Sequence, residues 1–314
     1  MTAVPPQWTP VSTAPAAADD PGSLATGAGV IATVLAAARA AATSRGLISD
    51  PFAAPLVHKV GLEFCIRVAD GDLDISRLGK DGGFPRLAEF SAARTKFFDA
   101  FFTDAARGGI RQAVILGAGL DTRAYRLWWP AETVVYEVDH PPVVDFKTTT
   151  MRAWGSAPSA DRRAVGVDLR GDWPAALRRV GFDATAPTAW VIEGLLVWYV
   201  PSDAQNRLLD GVTALSAPGS RLAADHAVPP SRPQAVHHES LVERWRRRGL
   251  SLTGPGPFYS GEHTDVVRHL AESGWATVVS SIVDLFAAAR LPRLTERELD
   301  GAPVPIRYLA ATRN

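Results

Sequence analysis

The chain has 314 residues, 46% of them hydrophobic, and its 33 Lys and Arg are balanced by 33 Asp and Glu for a formal net charge of zero. That length can bury a full core, and the balanced charge lacks the basic surplus of a nucleic-acid binder, so no nucleic-acid partner is expected. One cysteine, Cys65, rules out an internal disulfide and fits a reducing compartment. No HExxH and no close set of Cys and His ligands suggests zinc, so no metal site is expected.

In chain order, residues 1–24 are rich in Ala, Pro, Asp and Thr and lack the basic and apolar regions of a secretory signal, which predicts a disordered tail. Residues 29–43 are Ala-rich and helix-favouring. Asp50-Pro51-Phe52 reads as a helix start, with Asp as N-cap and Pro at the first position. The longest apolar stretch, 29–38, ends at Arg39 and is too short to span a bilayer, so a cytoplasmic protein without a membrane partner is expected. Five short apolar runs follow, at 113–117, 133–138, 163–167, 188–192 and 221–224, with helix-compatible stretches between them. This alternation predicts an α/β fold with a Rossmann-like, mostly parallel sheet and helices on both faces. A polar segment, 229–248, carries Arg244, Arg246, Arg247 and Arg248, read as a solvated helix end. After a Gly- and Pro-rich loop at 254–261, a helix is expected over 263–273 and strands over 275–279 and 306–311. These last two strands can extend the same sheet.

Five segments could carry chemistry. The first strand runs into Gly117-Ala118-Gly119-Leu120-Asp121, a turn in which the backbone can pass close to a ligand at the carboxyl end of a parallel sheet. The dinucleotide fingerprint is incomplete there, and Asp121 would repel a pyrophosphate. Asp139 lies 20 residues after Gly119 and Glu137 lies 18 after it, positions from which a carboxylate can accept from ribose hydroxyls. Asp168 and Leu169 follow the third strand, suited to an adenine amino group and ring or to an ordinary helix start. In the helix around Arg94, Phe97, Phe98, Phe101 and Phe102 share one face and Arg94 points along it, so this guanidinium needs either a ligand carboxylate or an internal ion pair. Glu193 ends the fourth strand, where it could accept from an ammonium, and Trp198 and Tyr199 behind it could line a substrate pocket or pack in the core.

Taken together, DPFAA (50–54), ARTKFFDAFF (93–102), VILGAGLDTRAYRL (114–127), YEVDHP (136–141), VDL (167–169) and EGLLVWY (193–199) resemble the class I methyltransferases of the leucine carboxyl methyltransferase and polyketide O-methyltransferase superfamily. The chain is particularly similar to the S-adenosyl-L-methionine-dependent methyltransferases of mycobacteria and other actinobacteria, from about residue 27 to the end. The resemblance implies S-adenosyl-L-methionine as cofactor and a small-molecule methyl acceptor. It implies that Arg94 binds the methionyl carboxylate, that Gly117 and Gly119 form the turn beneath the methionyl backbone, that Asp139 binds the ribose, that Asp168 and Leu169 bracket the adenine, and that Glu193 sits near the amine. It also implies one methyltransferase domain over 25–314: a helical cap (25–110), a cofactor-binding core (111–228), and substrate-side helices with the final strands (229–314). The eukaryotic leucine carboxyl methyltransferases also use an N-terminal lysine, and none matches it around residues 27–45, which argues against a protein C-terminal leucine as acceptor. O-methylation of a carboxylate or hydroxyl is the expected reaction. His140 and His226 are the candidate bases, although they read first as strand-end and core residues. A nicotinamide-dependent dehydrogenase and a non-catalytic cofactor binder are the rival readings.

Overall fold

The computed structural model describes residues 24–25, 29–73, 86–198, 202–228, 264–300 and 306–314. Residues 1–23 of the expected tail, the 229–248 segment with its arginines, the 254–261 loop, Tyr199 and the Trp198 side chain lie outside the described residues, whereas Leu24, the tail's last residue, is buried and its carbonyl accepts from Thr33.

Four helices come first: α1 (Gly29–Ser44), α2 (Ala53–Val60), α3 (Glu63–Ala69) and α4 (Leu87–Arg107). Strands and helices then alternate through β1 (Gln112–Leu116), α5 (Arg123–Arg126), β2 (Val134–Asp139), α6 (Pro141–Ala153), β3 (Asp161–Gly166), α7 (Trp173–Arg179), β4 (Thr188–Gly194), α8 (Leu195–Trp198), α9 (Ser202–Ala214) and β5 (Arg221–Ala227). The chain ends with α10 (Val266–Glu272), β6 (Trp275–Ser281), α11 (Ile282–Ala288), α12 (Glu296–Asp300) and β7 (Ile306–Arg313).

The seven strands form one sheet in the order β3-β2-β1-β4-β5-β7-β6. β1 to β5 are parallel, and β7 runs antiparallel to both β5 and β6, so the two late strands do extend the sheet. Strand order reverses between β1 and β4, which opens a crevice at the carboxyl ends of those strands. The strands read as continuous apolar runs because both faces are covered. Val114, Leu116, Tyr136, Val138, Trp190 and Ile192 pack on one face with Trp173, Leu177 and Leu209 of α7 and α9. Ala113, Ile115, Val135, Ala189 and Val191 pack on the other, where Phe98, Phe101 and Phe102 of α4 meet them. A separate cluster joins α1, α2 and α3 through Val30, Ile31, Val34, Leu56, Phe64 and Val68, and Leu120 from the glycine turn reaches into it.

Two expectations are corrected. Residues 50–52 are a turn and the helix begins at Ala53, so Asp50 is not its N-cap. The Phe52 and Ala53 N–H groups instead donate to the Asp50 carboxylate and carbonyl, and the second carboxylate oxygen lies 2.9 Å from Arg39. Glu137 is also not at the strand end: it is fully buried inside β2, 2.9 Å from Lys147 Nζ and 2.7 Å from Arg162 Nε. A carboxylate locked under two cations is not available to ribose hydroxyls. Among the described residues, no helix is long and apolar enough to cross a membrane.

Removing one partner of such a buried group leaves an uncompensated charge, at a cost of about 3–5 kcal/mol. Lys147→Met is expected to lower the urea midpoint accordingly with an unchanged m-value. A midpoint within experimental error of the parent would contradict the assignment of Lys147 as the structural counter-ion of Glu137.

Candidate active site

The first turn of the crevice depends on two glycines. Gly117 has φ +67° and Gly119 φ +43°, both in the left-handed region that side chains avoid. A Cβ on Gly117 would stand 2.9 Å from the Leu195 side chain, and one on Gly119 would stand 3.1 Å from Ala32 of α1. The Gly117 and Ala118 N–H groups both donate to the Val138 carbonyl, at 2.9 and 3.0 Å, which folds the turn toward β2. Bare backbone therefore runs between α8 and α1 at the mouth of the crevice.

Asp139 closes the β2 side. One carboxylate oxygen accepts from the Gly119 N–H at 2.6 Å and the other from the His140 N–H at 2.7 Å. Burial raises its carboxyl above the ordinary Asp range, and those two backbone donors only partly offset the rise. Asp168 stands further along, after β3. It is folded against Arg170 at 2.6 Å, and that hydrogen bond holds its carboxyl at about 2. Leu169 beside it is partly buried and packs against the apolar cluster that includes Val138 and Val165.

On the other side of the turn, α4 carries Arg94 into the sheet as its apolar face requires. Arg94 is only 6% exposed, and its Nε and Nη2 lie 2.8 and 2.6 Å from one oxygen of Asp225. Its Nη1 lies 2.8 Å from Glu193. The other oxygen of Asp225 accepts from the Gly194 N–H at 2.6 Å. Burial opposes the charged guanidinium, but Asp225 and Glu193 hold its pKa above the usual value. The internal ion pair anticipated as one reading of Arg94 is thus present. Among the described residues, these pairs engage three of the side chain's five N–H groups.

Glu193 lies inside β4, one residue before its end, and bridges Arg94 to Arg123, whose Nη1 is 2.7 Å away. Arg123 also meets Asp99 at 2.7 Å and Asp121, which in turn accepts from the Arg123 backbone N–H at 2.7 Å. Arg126 pairs with Asp99 at 2.7 Å and lies 3.8 Å from Asp50. Arg39 joins the far end by donating to the Leu120 carbonyl at 2.6 Å. Phe98 lies beneath both central guanidiniums, 5.9 Å from Arg94 and 5.6 Å from Arg123. Although burial works against them, the carboxyls of Asp121 and Asp99 lie below the ordinary value because Arg123 is beside both.

The crevice therefore brings Gly117, Gly119, Asp139, Arg94 and Glu193 together, while Asp168 and Leu169 sit apart on the β3 side. Asp225, Arg123 and Asp99 are additions. Asp225 was missed because the fifth strand was expected to stop at Ala224. The apolar run ends there, but β5 continues to Ala227 through its pairing with β7. His226, the next residue, is buried. Its Nδ1 lies 3.3 Å from the Ala227 carbonyl, its Nε2 has no partner among the described residues, and burial lowers its pKa. His140 is the N-cap residue of α6.

Comparison with known proteins bears on this arrangement. A family model described as leucine carboxyl methyltransferase matches residues 32–213. Two relatives from Mycobacterium marinum carry the name "Putative S-adenosyl-L-methionine-dependent methyltransferase". One is 46% identical over 94% of this chain and 97% of its own, the other 52% identical over 85% and 88%. A solved structure titled as a "putative methyltransferase" from Thermobifida fusca is 17% identical, covers 90% of this chain and 95% of its own, and has a TM-score of 0.50, a likeness of fold.

The depressed carboxyls predict the acid behaviour. Asp121 and Asp99 stabilise the fold fully above the unfolded-state value of about 4, and that contribution is lost as pH falls through their lower folded values. The urea midpoint should hold between pH 7 and about pH 5 and then drop, with a shallower drop in Asp121→Asn. An identical acid limb in the variant would show that the Asp121–Arg123 pair contributes nothing to it.

Proposed function

We propose, for a chain that belongs to the leucine carboxyl methyltransferase family and is an S-adenosyl-L-methionine-dependent methyltransferase, that the methyl goes to an oxygen of a small molecule, a carboxylate or a hydroxyl. The observation that carries the reading is the bare Gly117–Gly119 turn, with a ribose-competent carboxylate on one side and a buried guanidinium–carboxylate pair on the other.

The residues fit the cofactor group by group. Asp139 would accept from the ribose diol with the lone pairs left by its two backbone donors. Asp168 would take the adenine amino group after turning from Arg170, with Leu169 against the ring. The turn, bare of side chains at Gly117 and Gly119, would lie beneath the methionyl chain. Arg94 would hold the carboxylate and Glu193 the ammonium. Four guanidiniums (Arg39, Arg94, Arg123, Arg126) face five carboxylates (Asp50, Asp99, Asp121, Glu193, Asp225) across the network, and the surplus negative charge suits a cationic ligand. A dinucleotide's pyrophosphate would meet that surplus unfavourably, which disfavours nicotinamide chemistry.

When bound, the cofactor supplies an electrophilic methyl with its leaving group attached. The chain's own contribution is alignment and exclusion of water. A carboxylate acceptor is nucleophilic without help. A hydroxyl acceptor would have to lose its proton. The absence of a lysine in 27–45 keeps a protein C-terminal leucine disfavoured as acceptor.

S-adenosylhomocysteine should raise the Tm while NAD leaves it unchanged, and Asp139→Asn should weaken the homocysteine product's binding by about tenfold or more. Ribose recognition needs the Asp139 carboxylate ionised, so affinity should fall on acidification at a pH above the usual Asp range, and this limb should vanish in Asp139→Asn. Methyl transfer from labelled cofactor to a mixed acceptor panel should give esters or ethers. Products methylated only on nitrogen or carbon would sink the O-methylation reading.

A further inference from the structure

The ion pairs around Glu193 are unequal. Its two oxygens meet different guanidiniums, one Arg94 and the other Arg123. The Arg123 side chain is 3% exposed and is fixed from three directions, by Asp99, Asp121 and Glu193. The Arg94 side chain is fixed by Asp225, itself 1% exposed and anchored to the Gly194 N–H. Glu193, at 15%, is more exposed than either guanidinium or Asp225. The Arg94–Glu193 contact is therefore the one with other partners in place at its Arg94 end, a second anchor at its Glu193 end, and a solvent-facing side.

We propose that Arg123 is a positioning residue that holds Glu193 in place while the Arg94–Glu193 contact opens to admit a zwitterion, and that the site thereby selects amino-acid head groups carrying both charges. This rests on the reading above, in which Arg94 and Glu193 receive the carboxylate and ammonium of the ligand. In the exchange, the Arg94 Nη1 passes from Glu193 to the ligand carboxylate, and the Glu193 oxygen it leaves passes to the ligand ammonium. Arg123 keeps the other Glu193 oxygen throughout, and Asp225 keeps Arg94. One ion pair opens and two form, with no net charge left unmatched. A head group with only an ammonium opens the same pair and returns nothing to Arg94, so it loses the benefit that the zwitterion gains. Without Arg123, Glu193 would lie beside Asp121 and Asp99 with no intervening cation, and repulsion would drive it from the crevice.

Calorimetric titration with three probes tests this: S-adenosylhomocysteine, its decarboxylated amine analogue, and 5′-methylthioadenosine, which lacks the head group. The wild-type protein should bind S-adenosylhomocysteine about tenfold or more tighter than methylthioadenosine, and the amine analogue no tighter than methylthioadenosine. Arg123→Gln should weaken S-adenosylhomocysteine by a similar factor while methylthioadenosine stays within about twofold, and Arg123→Lys should recover part of the loss. Methylthioadenosine binding reports a folded crevice, and the wild-type comparison of probes stands if neither variant folds. An amine analogue as tight as S-adenosylhomocysteine would overturn the exchange. An Arg123→Gln variant that weakens both nucleosides equally, or neither, would overturn the positioning role. A wild-type protein that binds S-adenosylhomocysteine no tighter than methylthioadenosine would refute the assignment of Arg94 and Glu193 themselves, and the exchange with it.

Discussion

A carboxylate that is 1% exposed, as Asp225 is, needs a cation against it, and that requirement organises the carboxyl edge of the sheet. Arg94 is the cation, so α4 must lie across β4 and β5 at a fixed height, with Phe98, Phe101 and Phe102 filling the space beneath. Arg94 in turn draws Glu193 to one side of the crevice, Glu193 draws Arg123, and Arg123 draws Asp99 and Asp121. Each charge needs the next to remain charged. The chain of pairs ends only at Arg39 of α1, where the helical cap meets the glycine turn. Ion pairs of this kind add little net stability compared with an apolar packing of the same volume. They do fix which side chains face the crevice and in what protonation state, and that is what a ligand encounters.

The same logic separates two carboxylates that stand two residues apart. Glu137 and Asp139 share a strand and, by the alternation of side chains, a face of the sheet. Glu137 lies within the strand, under α6, where Lys147 and Arg162 enclose it. Asp139 is the last residue of β2, so its partners are the backbone N–H groups of Gly119 and His140, which leave lone pairs unused. One is neutralised by cations and belongs to the core. The other is held by neutral donors, has a raised pKa, and remains able to accept from a diol.

Much of this was legible in the sequence. The alternation of β-branched runs with helical stretches placed all seven strands, and the Phe97, Phe98, Phe101, Phe102 periodicity placed Arg94 inward. What escaped has physical reasons. β5 continues past Ala224 through its pairing with β7, because main-chain pairing does not depend on side-chain polarity, so Asp225 lies beyond the expected strand; Glu193 lies one residue before the end of β4. Arg123 looks like an ordinary charge in a helical turn. Its burial follows from long-range contacts to Asp99 and Glu193, 24 and 70 residues distant, which no local pattern reports. Asp50 shows the opposite error: Asp-Pro is a good local helix start, but Arg39 and Thr122 claim the carboxylate, and the helix begins later.

Asp121 joins the two lines of argument. Its position after Gly119 first counted against a pyrophosphate, simply as a negative charge near a glycine turn. In the structure its carboxylate faces away from any phosphate role and supports Arg123, which supports Glu193. A dinucleotide site uses a glycine turn to bring backbone N–H groups onto an anion. Here the turn's N–H groups are already given to the Val138 carbonyl and Asp139, and the charges beside it sum to an excess of carboxylate. The turn thus provides room for a ligand chain without offering it an anion-binding site. Anion recognition, in the reading proposed above, falls to Arg94, which the described carboxylates engage through three of its five N–H groups.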